Sequence, residues 1–251
     1  MQTITLGKPE LSHSCLANQI ILITGASSGI GRALALSAGE HGATVILLGK
    51  NLKALESLYD EMMAKGYPEP AIHPLNLLQT GPKQAYELAQ SIQQMFGRLD
   101  AVIHNAGTAG QISEVEHLSP PKWQEVIQLN LNIPYLLTHA LLGLLKASAQ
   151  SSVLFVTAEE ATAPKAYWSA YSASKAGIQN LAASLHEELE ANTTIRVNCI
   201  HPGKVRTALR RRAYPGIDPE SLTAPEDIVP HYIYLLSPEA KNIRGKTVNL
   251  A

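Results

Sequence analysis

The amino-acid sequence predicts an α/β fold built on a parallel β-sheet. Short apolar runs rich in β-branched residues, typical of strands buried on both faces, alternate along the chain with amphipathic helical patterns. Such repeated alternation requires parallel strands joined by right-handed crossovers. The length of 251 residues suits one α/β domain or two small ones. No linker, low-complexity tract or repeat divides residues 1–251, so we expect a single domain.

The elements follow one another in a regular order. Strands are predicted at 19–24, 43–48, 71–75, 100–104, 152–157, 195–200 and 245–250. Helices are predicted from the turn after the first strand through Ala38, then at 52–65, 82–96, 120–145, 170–190 and 225–236. Residues 1–18 form an N-terminal lead without the basic and apolar regions of a secretory signal. The polar, proline-bearing segment 208–223 is predicted to be a substrate lid over a pocket.

The composition argues against several classes of protein. Lys and Arg number 20 and Asp and Glu 21, so no global charge favours nucleic acid or an anionic membrane as partner. The most apolar helical run, 129–145, is interrupted by polar residues and is too short to span a bilayer. Two cysteines do not suggest a disulfide framework, and nine histidines show no metal-ligand spacing. We therefore expect a soluble, cytoplasmic protein without a catalytic metal.

A glycine-rich turn follows the first strand and leads directly into a helix. Its glycines allow a tight turn and a close approach of the backbone to a ligand. The helix N-terminus offers unpaired N–H groups and a positive dipole end, which suit a pyrophosphate. A purely structural turn is the alternative. The predicted cofactor contacts in this turn are Gly25, Ser27, Ser28, Gly29, Ile30 and Gly31.

The end of the second strand bears on which dinucleotide would bind. An NAD site usually has a carboxylate here to hold the ribose hydroxyls, whereas a nearby cation accommodates a 2′-phosphate. This chain has Gly49 at that position and Lys50 directly after it. These residues favour NADP(H), and a solvated lysine at a helix start is the alternative. Asn76 and Leu77, after the third strand, are predicted to contact an adenine ring.

Tyr171 and Lys175 begin an amphipathic helix and form the candidate catalytic pair. Four residues are about one helical turn, so both side chains emerge on the same face. An ammonium beside a phenol favours the phenolate and is expected to lower the tyrosine pKa from about 10 toward working pH. Tyr171 is then a plausible proton donor and acceptor. Taken alone, the pair also fits an ordinary exposed helix face.

Three further groups of residues are candidates for the same site. Asn105, Ala106 and Gly107 follow the fourth strand, at the edge where open α/β sheets bind ligands. Asn130 is a polar residue within an apolar helix face and must find hydrogen bonds, either to backbone or within an active-site water chain. The loop after the sixth strand contributes Pro202, Gly203, Val205 and Thr207.

Together these motifs resemble the short-chain dehydrogenase/reductase family over essentially the whole chain from about Leu16. The matching residues are Thr24-Gly25-xxx-Gly29-x-Gly31, Asn105-Ala106-Gly107, Asn130, Tyr171-xxx-Lys175 and Pro202-Gly203-x-Val205-x-Thr207. The resemblance implies a doubly wound Rossmann-type sheet of about seven parallel strands with helices on both faces. It also implies an oxidoreductase that uses NADP(H), with NAD(H) as the alternative, and interconverts a small-molecule carbonyl and alcohol. Family members commonly form homodimers or homotetramers through the helices that correspond to 122–146 and 170–190.

The resemblance assigns a role to each matching group. Tyr171 would protonate the substrate oxygen as hydride arrives, or deprotonate an alcohol in reverse. Lys175 would lower the pKa of Tyr171 and hold the nicotinamide ribose, and Asn130 would anchor a proton-relay water. Thr207 and the backbone of Pro202 and Gly203 would hold the carboxamide.

One position departs from the family pattern. The family usually has a serine thirteen residues before the tyrosine, and this chain has Ala158 there. Removing one such donor typically costs about 10²–10³ in rate. Thr157 could supply the hydroxyl, Glu159 could donate when protonated, or reduction could be slow or absent. The last case gives the alternative function, a dinucleotide-binding sensor or scaffold.

The predicted lid carries three consecutive arginines, 210–212. Such a run is usually a solvated face, but guanidinium groups also suit an anionic substrate or a phosphate-bearing carrier. Tyr167 and Trp168 are candidates for the pocket wall or for packing.

Overall fold

The structure, a computed structural model, describes residues 1–251 and is organised around a parallel sheet of eight strands. The strands are β1 Gln2–Thr5, β2 Ile20–Thr24, β3 Thr44–Gly49, β4 Ala71–Pro74, β5 Ala101–His104, β6 Ser152–Val156, β7 Arg196–His201 and β8 Lys246–Asn249. Their order across the sheet is β1-β8-β7-β6-β5-β2-β3-β4, and every neighbouring pair is parallel. The chain winds outward from β2 to β4, then crosses back to β5, so the order reverses between β2 and β5. This is the doubly wound fold that the sequence predicts.

Helices cover both faces of the sheet. They are α1 Gly29–Glu40, α2 Leu52–Ala64, α3 Pro82–Phe96, α4 Pro120–Ile127, α5 Ile133–Lys146, α6 Ser169–Glu190, α7 Ala208–Ala213 and α8 Pro225–Leu236. One apolar core lies between the sheet and α1, α2 and α8, and a second lies between the sheet and α3, α5 and α6. Successive strand residues enter opposite cores, as with Ile21 and Leu22 of β2. The central strands β2, β3, β5 and β6 are therefore largely apolar on both faces.

The eighth strand is β1, within the segment expected to be only an N-terminal lead. It pairs with β8 at the edge of the sheet, from Gln2 opposite Lys246 to Thr5 opposite Asn249. Gln2 also accepts a hydrogen bond from Lys246 Nζ, at 2.7 Å. Because β1 is short, polar and mostly exposed, it lacks the buried apolar run that marks the other strands. The predicted count of about seven strands is therefore one too low.

The helix expected over 120–145 is interrupted. Between α4 and α5 the chain forms a π-helical turn, Gln128–Asn132, in which the N–H of Ile133 donates to the carbonyl of Gln128. Pro134 has no N–H and cannot donate to Asn130 four residues earlier, so regular α-helical bonding cannot continue through this point. The turn places Asn130 in the interior, facing the loop after β5. No helix of the protein combines the length and apolar character needed to cross a bilayer.

Candidate active site

A cleft of about 1470 Å³ lies along the carboxyl edge of the sheet, lined by the loops that follow β2 to β7. It includes the point where the strand order reverses, the usual ligand crevice of such sheets. Gly31 and Asn130 are the two predicted site residues that do not line it. The predicted residues that do are Gly25, Ser27, Ser28, Gly29, Ile30, Lys50, Asn76, Leu77, Asn105, Ala106, Gly107, Tyr171, Lys175, Pro202, Gly203, Val205 and Thr207.

The glycine turn has the geometry of an anion cradle. Gly25 and Gly29 adopt φ values of 70° and 53°, a region that favours glycine. A Cβ at Gly31 would overlap the carbonyl oxygen of Gly25. Gly31 therefore packs α1 closely against the turn and does not line the cleft, and its predicted contact with the cofactor stays a prediction.

The start of α1 leaves donors available to a ligand. Ser28, the residue before the helix, makes no side-chain capping hydrogen bond. The first N–H groups of a helix have no partners within it, and here Gly29 and Ile30, which carry two of them, border the cleft. These N–H groups and the helix dipole favour a phosphate at this position.

Thr24 joins the glycine turn to the loop after β5. Its hydroxyl donates to the carbonyl of Ile103, at 3.2 Å, and accepts the N–H groups of Asn105 and Ala106, both at 3.0 Å. The Asn105 amide donates in return to the carbonyl of Thr24, at 3.0 Å. Thr24 was not among the predicted contacts, although a hydroxyl at the end of a buried apolar strand was a signal for such a link. These bonds fix the two central loops of the cleft relative to each other.

The far end of the cleft, after β3, has no carboxylate. Gly49 ends β3, and a Cβ there would lie 3.5 Å from Ser27 Oγ. Lys50 is exposed and forms no ion pair. The acidic residues that border the cleft lie on α4 and after β6 instead; they are Glu125, Glu159 and Glu160. This end therefore offers a cation and a hydroxyl, which suit a phosphate better than ribose hydroxyls alone.

Asn130 acts as a brace behind the cleft. It is 2% exposed, and its Oδ1 accepts the N–H of Thr108, at 2.9 Å. Its Nδ2 donates to the carbonyl of Thr108, at 2.9 Å, and to Ser174 Oγ, at 3.0 Å. Ser174 in turn donates to the carbonyl of Tyr171, at 2.7 Å. Of the two roles considered for this side chain, it adopts the backbone bond, and the relay role stays a prediction.

Tyr171 and Lys175 are both buried and lie together on one turn of α6. Lys175 Nζ is 5.6 Å from the centroid of the Tyr171 ring and donates to the carbonyl of Val156, at 2.7 Å. Burial lowers the pKa of Lys175 to about 8. Burial, reinforced by the negative charge of Glu160, raises the pKa of Tyr171 above its ordinary value. The expected lowering of the tyrosine pKa is therefore wrong for the protein alone, because desolvation of the phenolate and the charge of Glu160 outweigh the opposing charge of Arg210.

The segment after β6 shows what surrounds the missing serine. Ala158 packs against Trp168 and Tyr171 in a small apolar cluster. Glu159 is exposed and bound to Lys165 at 2.7 Å, and this hydrogen bond lowers its pKa. A protonated Glu159 as hydrogen-bond donor is therefore not supported. Thr157 is 1% exposed and lines the cleft, and its hydroxyl has no hydrogen-bond partner.

Aromatic rings form the wall beyond Tyr171. Trp168 meets Tyr171 edge-on, with centroids 5.4 Å apart and planes at 66°, and stacks on Tyr214, with centroids 5.6 Å apart and planes at 26°. The guanidinium of Arg210 lies over the Tyr214 ring, with its Cζ 4.1 Å from the ring centroid. Trp168 lines the cleft as one prediction had it, whereas Tyr167 is 55% exposed and does not.

The predicted lid contributes to this wall. A bridge between Val205 and Thr223 closes the segment at its base, and residues of α7 border the cleft. Of the three arginines, Arg210 and Arg212 line the cleft and Arg211 does not. Glu160, which the sequence did not single out, is buried beside this wall and bound to Lys165 at 3.2 Å.

The chain belongs to the short-chain dehydrogenase family, whose model matches residues 19–217. The uncharacterized oxidoreductase YciK of Escherichia coli (strain K12) is 39% identical over 232 residues, which are 92% of this chain and 91% of that protein. A short chain dehydrogenase from Pseudomonas syringae superposes with a TM-score of 0.95 at 38% identity, covering 98% of this chain and 99% of its own. The family expected from the sequence motifs is confirmed.

The solved neighbours include complexes with a dinucleotide. A short chain dehydrogenase from Shigella flexneri 2a str. 301, complexed with NADP, superposes with a TM-score of 0.92 at 38% identity. The superposition covers 95% of this chain and 99% of that one.

Proposed function

We propose that the protein is an NADP(H)-dependent oxidoreductase that interconverts a carbonyl and an alcohol by hydride transfer. The observation that carries this proposal is the buried Tyr171–Lys175 pair, which borders the same cleft as the glycine turn. Membership of the short-chain dehydrogenase family and the NADP complex of a neighbour at 38% identity support it.

The residues present fit the cofactor. The glycine turn and the free N–H groups of α1 would hold the pyrophosphate, and Lys50 with Ser27 would hold a 2′-phosphate. Asn76 and Leu77 would border the adenine, and the loops carrying Asn105–Gly107 and Pro202–Thr207 would border the nicotinamide end. Bound NADPH would supply the hydride, and side chains of the protein would supply the proton and position the reacting groups.

Tyr171 would act as the acid in carbonyl reduction. Its raised pKa keeps the phenol protonated at neutral pH, so a proton is available for the substrate oxygen. The tyrosinate left behind would be stabilised by the Lys175 ammonium, which lies against the ring. Since the pKa of Lys175 is about 8, the ammonium form predominates at neutral pH. Asn130 would position α6 and the loop after β5 through its three hydrogen bonds.

Thr157 is our candidate for the hydroxyl that Ala158 lacks. Thr157 borders the cleft, and its buried Oγ1 has no hydrogen-bond partner within the protein, so it would donate to a substrate oxygen that reaches it. The geometry of the strand end supports this choice over Glu159, whose carboxylate is already neutralised by Lys165.

A dinucleotide-binding sensor or scaffold is the second candidate function. The observation in its favour is Ala158, which fills the family's serine position with an apolar contact to Trp168 and Tyr171. Such a protein would retain the cofactor cradle but reduce carbonyl compounds poorly.

NADPH consumption separates the two functions. The natural protein and an Ala158→Ser variant are assayed with a panel of aldehydes and ketones, and NADPH binding is measured separately by fluorescence. Turnover by the natural protein that the serine improves little supports the oxidoreductase with Thr157 as donor. Binding without turnover until the serine is present supports the sensor or scaffold and contradicts the first proposal.

We also infer a homodimer or homotetramer in the cytoplasm. Trp123 and Tyr135 are exposed on α4 and α5, within the region through which the family commonly associates. Cys15 and Cys199 are unpaired, which supports a reducing compartment. Light scattering after size-exclusion chromatography measures the mass directly, and a monomer at micromolar concentration contradicts the inferred assembly.

A further inference from the structure

A row of rings leads from Tyr171 to a guanidinium group. Trp168 contacts both Tyr171 and Tyr214, and Arg210 covers the face of Tyr214. Stacking on an aromatic ring restrains the plane of a guanidinium group, so its N–H donors are oriented before a ligand binds. The row therefore ends in an oriented cation on the same side of the cleft as the proposed proton donor.

The charge of Arg210 is not compensated within the protein. It forms no ion pair, unlike Arg206, which binds Glu220 at 3.0 Å. The two carboxylates after β6 are both bound by Lys165. Arg210 Nε is buried without a hydrogen-bond partner, which is costly for a guanidinium donor unless a ligand supplies the acceptor.

The wall between the two ends is apolar. Ala109, Ile112 and Ala213 pack with the cluster of Ala158, Trp168 and Tyr171. A ligand that spans this distance would therefore contact carbon surface and aromatic faces before it reaches the guanidinium. The contacts of Trp168 with Tyr171 and with Tyr214 connect the two ends, and the charge of Arg210 opposes the effect of burial on the pKa of Tyr171.

We propose that Arg210 binds an oxyanion carried by the substrate, with a flat apolar segment between that anion and the reacting carbonyl or alcohol. This inference rests on the proposed function for the chemistry at Tyr171. A carboxylate and a phosphate share the oxygen geometry that a guanidinium fork recognises. Arg210 is thus a specificity-determining residue of the substrate pocket. Arg211, exposed and outside the cleft, belongs to the solvated surface.

The test compares a neutral substrate with two anionic derivatives of it. NADPH oxidation is followed with benzylacetone, its para-carboxylate and its para-phosphate, for the natural protein and for Arg210→Gln, Arg210→Lys and Arg211→Gln. We expect the ratio of kcat/KM for either anion to that for benzylacetone to fall at least tenfold in Arg210→Gln. Arg210→Lys should keep part of the preference, because it retains the charge and loses the fork. Arg211→Gln should keep the full ratio.

A binding measurement makes the result independent of turnover. The chain has two tryptophans, so a Trp123→Phe background isolates the fluorescence of Trp168. The para-carboxylate and benzylacetone are titrated into the NADP⁺-saturated protein with and without Arg210→Gln. We expect at least a tenfold weaker binding of the carboxylate in the variant. Thermal unfolding and NADPH affinity check that each variant is folded.

The outcomes separate the two proposals. Anion binding that depends on Arg210 without any turnover supports this site and contradicts the proposed reaction. Turnover with no preference for the anions, or with equal ratios in Arg210→Gln and Arg211→Gln, overturns the site and leaves the reaction standing. Discrimination between carboxylate and phosphate in the natural protein identifies the anion.

Discussion

Lys175 Nζ lies 5.6 Å from the centroid of the Tyr171 ring, and its own hydrogen bond goes to the carbonyl of Val156. The ammonium is thus held by the end of β6 while it faces the phenol. Because both side chains are buried, the phenol keeps its proton and the amine is closer than usual to losing one. At neutral pH the phenol is therefore protonated, which is the form that the proposed acid in carbonyl reduction requires.

Removal of the Tyr171 hydroxyl should strongly reduce turnover and leave cofactor binding intact. We expect Tyr171→Phe to lower kcat by about 10²–10⁴, since a positioned acid typically contributes that much. NADPH affinity, measured by fluorescence, should change only slightly. Tyr167→Phe is the matched control, because that ring is exposed and outside the cleft. Equal activity in both variants would assign the proton transfer to another group.

The pKa of Lys175 predicts a pH-dependent stability. Between about pH 8 and the ordinary lysine pKa of about 10.4, the unfolded chain binds the proton that the folded protein has released. In that window the free energy of unfolding of the natural protein should therefore rise with pH relative to Lys175→Met. The relative gain should amount to roughly 1–3 kcal/mol, at about 1.4 kcal/mol per pKa unit. Urea unfolding at pH 7, 8, 9 and 10 measures it, and a constant difference would show that Lys175 titrates normally.

The fold is predictable from the sequence where strands are buried on both faces. The apolar run at 19–24 corresponds to Ile20–Thr24, and the other six predicted strands are found with similar agreement. Gln2–Thr5 could not be recognised, because an exposed edge strand of Gln and Thr depends on backbone pairing with a segment far along the chain. The π-helical turn also escaped prediction, since proline is tolerated near a helix start and only the observed bonding shows where regularity ends.

The sequence predicts which strand ends form the site but not the hydrogen bonds that connect them. Residues at the carboxyl edge could be placed because the fold brings these ends together. The hydrogen bonds of Thr24 and Asn130 join residues far apart in sequence, so no local pattern indicates them. The pKa of Tyr171 was predicted with the wrong sign because the sequence shows its charged neighbour but not its burial.

Asn130 should matter for stability more than its neighbours in the same turn. In Asn130→Ala, the half-buried N–H and carbonyl of Thr108 lose their partners, and the buried Ser174 hydroxyl loses a donor. We expect a loss of about 2–4 kcal/mol in the free energy of unfolding. Asn132→Ala is the control, because Asn132 is exposed and bonds only Gln128. If the two variants unfold at the same urea concentration, the hydrogen bonds of Asn130 do not contribute to the free energy of unfolding.

Lys50 should determine the preference between the two dinucleotides. We expect Lys50→Ala to lower the ratio of NADPH to NADH affinity by about tenfold, since it removes a cation close to the expected 2′-phosphate. Isothermal titration with both cofactors measures the ratio. Lys53→Ala removes an exposed lysine of α2 that does not line the cleft, and should leave the ratio unchanged. The same loss in both variants would indicate a general charge effect instead.

Replacement of Thr157 should change activity without lowering stability. Its hydroxyl is buried without a partner, so replacing it with the methyl of valine should leave the free energy of unfolding unchanged or slightly higher. If the hydroxyl donates to the substrate oxygen, Thr157→Val should lower kcat by about 10²–10³. Thr157→Ser retains the hydroxyl and should retain most of the activity.

A double variant with substitutions at positions 157 and 158 tests whether the Thr157 hydroxyl is the donor. A serine at Ala158 would supply a second hydroxyl next to Trp168 and Tyr171. In Thr157→Val with Ala158→Ser, we expect much of the lost kcat to return, because either hydroxyl can donate to the same oxygen. Rescue in the double variant therefore requires that the valine removed a donor. Full activity in Thr157→Val alone would instead show that the site works without a hydroxyl at either position.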